Sequence, residues 1–203
     1  MNPEDRSSWL SRYNERLENF GVSPEALGWG GGKERQWKRF RAAMEFSLFD
    51  DRPVESVLDV GCGFGDLGAW LAECKSDVRY TGIDINPALV EEGRKRYGLD
   101  LSAVDIESIP DGSYDLVIAN GIFNFRMQHE DHESYIQGML SRFMKVARVG
   151  IAVDFMSTYV DFSHPGAFHC PETLVVDAIK IRTKRYVIRN DYLDYEYIAY
   201  AYL

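Results

Sequence analysis

The chain has 203 residues, 45% hydrophobic and 27% charged, which suits one globular domain with a full core. No apolar run approaches the roughly 20 residues that a membrane-spanning helix needs, and the opening Met1-Asn2-Pro3-Glu4-Asp5-Arg6 lacks the apolar core of an export signal, so no membrane anchor is expected. The net charge of −9 argues against a nucleic-acid partner, and three unpatterned cysteines (Cys62, Cys74, Cys170) argue for a reduced, cytoplasmic protein without a disulfide framework or zinc knuckle.

Two helices are expected first, over 7–20 and 34–49, the second with Trp37, Phe40, Met44 and Leu48 at helical spacing. The glycine-rich stretch Leu27-Gly28-Trp29-Gly30-Gly31-Gly32 between them cannot be regular structure. Strands and helices then alternate: strand 56–60, helix 66–74, strand 79–84, helix 87–97 opened by Pro87, a short strand 101–104, strand 114–119, helix 133–147, strand 148–155 and helix 171–183 opened by Pro171. Such alternation predicts an α/β fold, a mainly parallel sheet with helices on both faces. The closing β-type runs, 186–190 and 195–202, are too close for a parallel crossover and must form an antiparallel hairpin at the sheet edge. The basic clusters at 33–41 and 180–185 read as solvated faces.

The chemistry concentrates at Val57-Leu58-Asp59-Val60-Gly61-Cys62-Gly63-Phe64-Gly65. An apolar strand carrying an acid runs into three alternate glycines, where the backbone can turn at positive φ and a ligand can lie against the main chain. A helix starting at Asp66 would point its free N–H groups back at that ligand. The stretch Gly63-Phe64-Gly65-Asp66-Leu67-Gly68 also fits the G-x-G-x-x-G dinucleotide pattern. However, Asp59 and Asp66 would repel a pyrophosphate, whereas a positively charged ligand would accept them. Asp84 ends the second strand, where an acid accepts hydrogen bonds from ribose hydroxyls or simply serves the turn before Pro87. Asp105 and Ile106 follow the third strand, placed to meet an adenine.

Together with Gly82-Ile83-Asp84-Ile85, Val104-Asp105-Ile106 and Tyr114-Asp115-Leu116-Val117-Ile118-Ala119-Asn120, this series resembles the class I S-adenosylmethionine-dependent methyltransferases. The resemblance covers roughly residues 54–125 and implies a Rossmann-like seven-stranded sheet of order 3-2-1-4-5-7-6. It implies S-adenosylmethionine as cofactor, S-adenosylhomocysteine as product and no metal. It also implies that Asp59, Gly61, Gly63 and Gly65 bracket the methionine part, that Asp84 with Ile85 holds the ribose, and that Asp105 and Ile106 hold adenine. Asn120 would line the amino-acid end through its backbone. Leu27-Gly28-Trp29, Gln36-x-x-Arg39-Phe40 and Gly121-Ile122-Phe123-Asn124 resemble a branch of small bacterial members. There residues 1–53 would cap a core of 54–203 within a single compact domain, with Trp29 beside the cofactor and Arg39 facing its carboxylate; a solvated helix face is the other reading of Arg39.

An acceptor would lie over the carboxyl ends of strands four and five, near Phe123, Asn124, Arg126, Asp154 and Tyr159. His129, His164 and His169 qualify by position as general bases, although each also suits an ordinary loop. Residues 120–123 depart from the Asn/Asp-Pro-Pro-Tyr pattern of nucleic-acid and glutamine N-methyltransferases, which favours a small-molecule acceptor methylated on oxygen or nitrogen. Methylation of RNA or protein, a non-methylating cofactor-binding domain and an NAD-dependent oxidoreductase are the alternatives. Oligomeric state is not legible.

Overall fold

β-branched, apolar runs alternate with helix-forming segments, and the computed structural model, which describes residues 1–162 and 165–203, folds them into a seven-stranded sheet between helices. In chain order the elements are α1 (Pro3–Phe20), α2 (Gly32–Met44), β1 (Ser56–Val60), α3 (Asp66–Glu73), β2 (Arg79–Ile83), α4 (Pro87–Tyr97), β3 (Leu101–Ser102) and β4 (Tyr114–Ala119). Then come α5 (His132–Val146), β5 (Ala147–Met156), α6 (Glu172–Ile179), β6 (Tyr186–Arg189) and β7 (Glu196–Tyr202). The strand order is β3-β2-β1-β4-β5-β7-β6, as expected from the resemblance. The first five strands pair in parallel, while β7 lies antiparallel between β5 and β6.

All five residues of β1 are buried, because helices cover both faces of the sheet. On one face Leu58, Val117, Ile151 and Phe155 pack with Ile136 and Phe143 of α5 and Val175 of α6. On the other, Val57, Ile118, Ala152 and Tyr200 meet Phe40 and Ala43 of α2 and Leu67 of α3. Local signals set the helix ends. Asn86 caps α4 by accepting from the Ala88 and Leu89 N–H groups, with Pro87 in the first turn and Gly98 left-handed at the far end. Asp131 caps α5 through the Ser134 N–H at 2.9 Å.

Some boundaries differ from expectation. The second helix stops at Met44 and tightens into a 3-10 turn over Glu45–Phe49, so Leu48 leaves the helical face and stands 72% exposed. Its buried stripe is Gln36, Arg39, Phe40 and Ala43, with Trp37 facing outward. The third strand is only two residues, because the chain turns toward Asp105 as soon as Leu101 has packed.

Candidate active site

The geometry starts where β1 ends. Gly61, Gly63 and Gly65 all adopt positive φ, and the Gly61 and Cys62 N–H groups donate to the Ile83 carbonyl, tying the turn to β2. At Gly61 a side chain is excluded twice over: φ is +73°, and a Cβ would stand 2.3 Å from Ile122 Cγ2. The result is a floor of bare backbone at the carboxyl ends of β1, β2 and β4.

Above it lies a cavity of about 210 Å³, roofed by Trp9, Leu10 and Tyr13 of α1. Five carboxylates line it (Asp59, Asp66, Asp84, Asp105, Glu107), and its described lining contains no lysine or arginine. Asp84 accepts from the Gly63 N–H at 2.9 Å and the Asn86 N–H at 2.8 Å, which leaves further lone pairs free. Burial raises its pKa, and the backbone donors oppose the rise. Burial lifts Asp59 to about 7; the Tyr80 hydroxyl, donating at 2.8 Å, pulls it down, while the charges of Asp84 and Asp66 push it up. Asn120 lines the same cavity with both side-chain amide atoms buried and unpartnered. Asp66 is held by the Tyr97 hydroxyl at 2.7 Å and Gln36 Nε2 at 3.1 Å.

The roof is latched. Asp5, 2% exposed, accepts from the backbone N–H groups of Gln128, His129 and Glu130 at 2.9 to 3.3 Å. Burial alone would raise its pKa, but the three donors reverse that and leave it below the ordinary value. Arg6 of α1 reaches Asp105 at 3.3 Å.

A second cavity, of about 450 Å³, lies across Trp29 and shares the walls Leu27, Trp29, Gly121 and Phe125 with the first. Gly121 has φ +74°, and a Cβ there would meet the Trp29 ring at 2.5 Å, so glycine permits the close contact. Behind Trp29, Arg39 is 4.5 Å from the ring centroid and grips Glu196 of β7 with two donors, Nε at 2.6 Å and Nη2. Asp154, buried beneath this wall, accepts from the Gly121 N–H at 2.6 Å. Its pKa rises to about 7 through burial and the Glu196 charge, against the pull of Arg39 and Gly121.

Trp29, Asp59, Gly61, Gly63, Asp84, Ile85, Asp105, Ile106 and Asn120 thus converge on the first cavity. Gly65 does not reach it and caps α3 instead. Arg39 is turned from the first cavity by its pairing with Glu196 and borders the second. Of the expected acceptor residues only Asn124 lines either of these two cavities. Phe123 is core, stacked on Phe155; Asp154 is enclosed; Arg126 lies over Phe168; and Tyr159 is 83% exposed. His129 lies outside both cavities, paired with Glu4 at 2.9 Å, and His169 is bound to the Ser157 carbonyl at 2.7 Å, also outside. His164 falls outside the described residues. Tyr13, within the helix expected over 7–20, carries no signal for a site in the sequence, and long-range packing brings it to the first cavity. Among the described residues no cluster of three or more His, Cys, Asp or Glu side chains could hold a metal ion.

Residues 57–145 match a family model described as a methyltransferase domain. A methyltransferase-family protein of Mycobacterium tuberculosis is 29% identical over 148 residues, covering 70% of this chain and 89% of that protein. The malonyl-[acyl-carrier protein] O-methyltransferase of Acetivibrio thermocellus is 34% identical over 116 residues, 55% of this chain, and the match spans only 41% of that protein's length. Magnesium protoporphyrin IX methyltransferase from Synechocystis PCC 6803, solved with bound S-adenosylmethionine, shares the fold at a TM-score of 0.66 and 18% identity over 100% of this chain and 99% of that one. The ordered motifs, the strand order and this matched domain together support a class I S-adenosylmethionine-dependent methyltransferase.

Proposed function

We propose that the first cavity holds S-adenosylmethionine and that the second receives a small-molecule acceptor, methylated on oxygen or nitrogen. The observation that carries this reading is a lining of five carboxylates with no lysine or arginine over a bare-backbone floor. A net cation is welcome there, and a pyrophosphate is repelled. When bound, the cofactor would supply a methyl carbon activated on sulfonium sulfur; the acceptor's oxygen or nitrogen would take that carbon, the C–S electron pair staying on sulfur and the acceptor's proton passing to solvent.

The chain's own residues align and shield that exchange. Asp84 accepts from the ribose hydroxyls, with Ile85 beside it; Asp105 takes the adenine amino group, and Ile106 packs on the ring. Asp59, Gly61 and Gly63 surround the methionine part, and Asn120 meets its end near the boundary with the second cavity. Residues 1–53 act as a cap: α1 excludes water over the site, and the loop carrying Trp29 lies at the boundary where the two cavities adjoin. Among the described residues neither His129 nor His169 lines either of these two cavities, and the role assigned here to the chain is positioning. The acidic net charge disfavours a nucleic-acid acceptor, and the free thiols of Cys62, Cys74 and Cys170 suit the cytoplasm.

The test is S-adenosylhomocysteine release from S-adenosylmethionine with fractionated cell extract as acceptor. Turnover is expected with the small-metabolite fraction. Turnover confined to the RNA and protein fraction would overturn the small-molecule acceptor.

A further inference from the structure

Tyr195 is one of two non-glycine residues at positive φ among those described, at +68°. A bulky side chain pays for that conformation, and such strain persists where the surrounding fold holds it in place. Here the holding contacts are explicit. The Tyr195 carbonyl accepts from the Ser157 N–H at 2.8 Å, and its ring meets Phe162 edge-on at a centroid distance of 5.2 Å. The consequence is that Tyr195, 41% exposed, forms part of the wall of the second cavity, along with Trp29, Phe125 and Phe162. Nothing in the hairpin turn itself requires an aromatic residue at that point, since glycine would adopt the same backbone without strain.

Among the described residues of this wall the charges cancel. Its described lining contains two arginines, Arg35 and Arg39, and two carboxylates, Asp194 and Glu196. Arg39 and Glu196 are closed upon each other, and Arg35 approaches Glu196 at 3.8 Å. An anionic or cationic ligand would lose hydration on entry without finding a net opposite charge. A neutral ring would lose little and gain aromatic contact on several sides. The side-chain oxygen of Asn124, in the same wall, is buried without a partner and would accept from a ligand O–H or N–H.

We propose that the second cavity selects a neutral, planar aromatic acceptor bearing a hydroxyl or amino donor, laid against Tyr195 and Trp29 at the boundary with the cofactor cavity. This rests on the reading of the first cavity as the cofactor site. The proposal would make Tyr195 a specificity-determining residue rather than a structural one.

The experiment is calorimetric titration of the full chain, with and without saturating S-adenosylhomocysteine, using three probes that share one ring system: naphthol (neutral), naphthoate (anionic) and naphthylmethylamine (cationic at neutral pH). Naphthol is expected to bind saturably and about tenfold or more tighter than either charged probe. Tyr195→Gly is expected to weaken naphthol about tenfold, while leaving S-adenosylhomocysteine affinity unchanged and the unfolding temperature unchanged or raised, because the strain is gone. A charged probe binding as tightly as naphthol would overturn the proposal. So would a Tyr195→Gly variant that loses stability yet binds naphthol normally. Failure of wild-type protein to bind S-adenosylhomocysteine would instead sink the first-cavity reading, and the titration without it still decides the selectivity of the second.

Discussion

Asp59 lies in β1 with its carboxylate enclosed and a tyrosine hydroxyl as its hydrogen-bond donor. Its folded pKa near 7 stands above an unfolded value of about 3.9. Between those values the folded chain holds a proton that the unfolded chain lacks, so this residue makes stability fall as pH rises through that window. Asp154 acts in the same direction over the same range. A sulfonium favours ionised Asp59, whereas a neutral thioether does not. The affinity ratio of S-adenosylmethionine to S-adenosylhomocysteine is therefore expected to climb between about pH 6 and pH 8, and Asp59→Asn should flatten that climb in calorimetry. Asp84→Ala should weaken both ligands by about ten- to a hundredfold, the size of a lost hydrogen bond to a charged group, with the circular dichroism spectrum unchanged. Retained tight binding would contradict the role given to Asp84.

At the scale of elements, α1 is held over the first cavity by Asp5 together with Trp9, Tyr13 and Leu17, the partly buried side chains that join the apolar clusters. Asp5→Ala leaves three backbone donors without their acceptor and should cost about 2 kcal/mol locally. Hydrogen exchange across residues 3–20 should quicken, and cofactor dissociation should quicken with it, while exchange in β1 and β4 stays slow. The same latch shows why some of the site was legible and some was not. The glycine turn and Asp84 announce themselves locally, because the backbone there demands particular residues at fixed spacing from strands that are themselves apolar runs. The settings of Arg39 and His129 are not legible because their partners are remote: Glu196 is 157 residues beyond Arg39, and Glu4, the partner of His129, sits on α1. Phe123 illustrates a different limit. Its position in a loop suggested contact with an acceptor, but the loop folds inward, and the ring completes a stack with Phe155 and Tyr197. No period in the sequence marks that inward turn.

For the molecule as a whole, cofactor binding should be visible as stability. A ligand at a hundred times its Kd adds about 2.7 kcal/mol, which for a chain of this size raises the unfolding temperature by about 5–10 °C. Thermal denaturation with S-adenosylhomocysteine should show that rise, and Asp84→Ala should cut it to about half or less at the same ligand concentration. The sheet order carries a further consequence, for the history of the chain rather than its final state. β7 is the last strand in sequence, yet it lies inside the sheet and pairs on both sides with β5 and β6. While the protein is being synthesised, β1 to β5 can assemble in order, but β5, buried along most of its length in the finished fold, then offers an unpaired apolar edge. That edge stays open until residues 196–202 leave the ribosome and slot in. The interval is a window for misassociation between nascent chains, and it closes only when the interior of the sheet is completed by its most recently made strand.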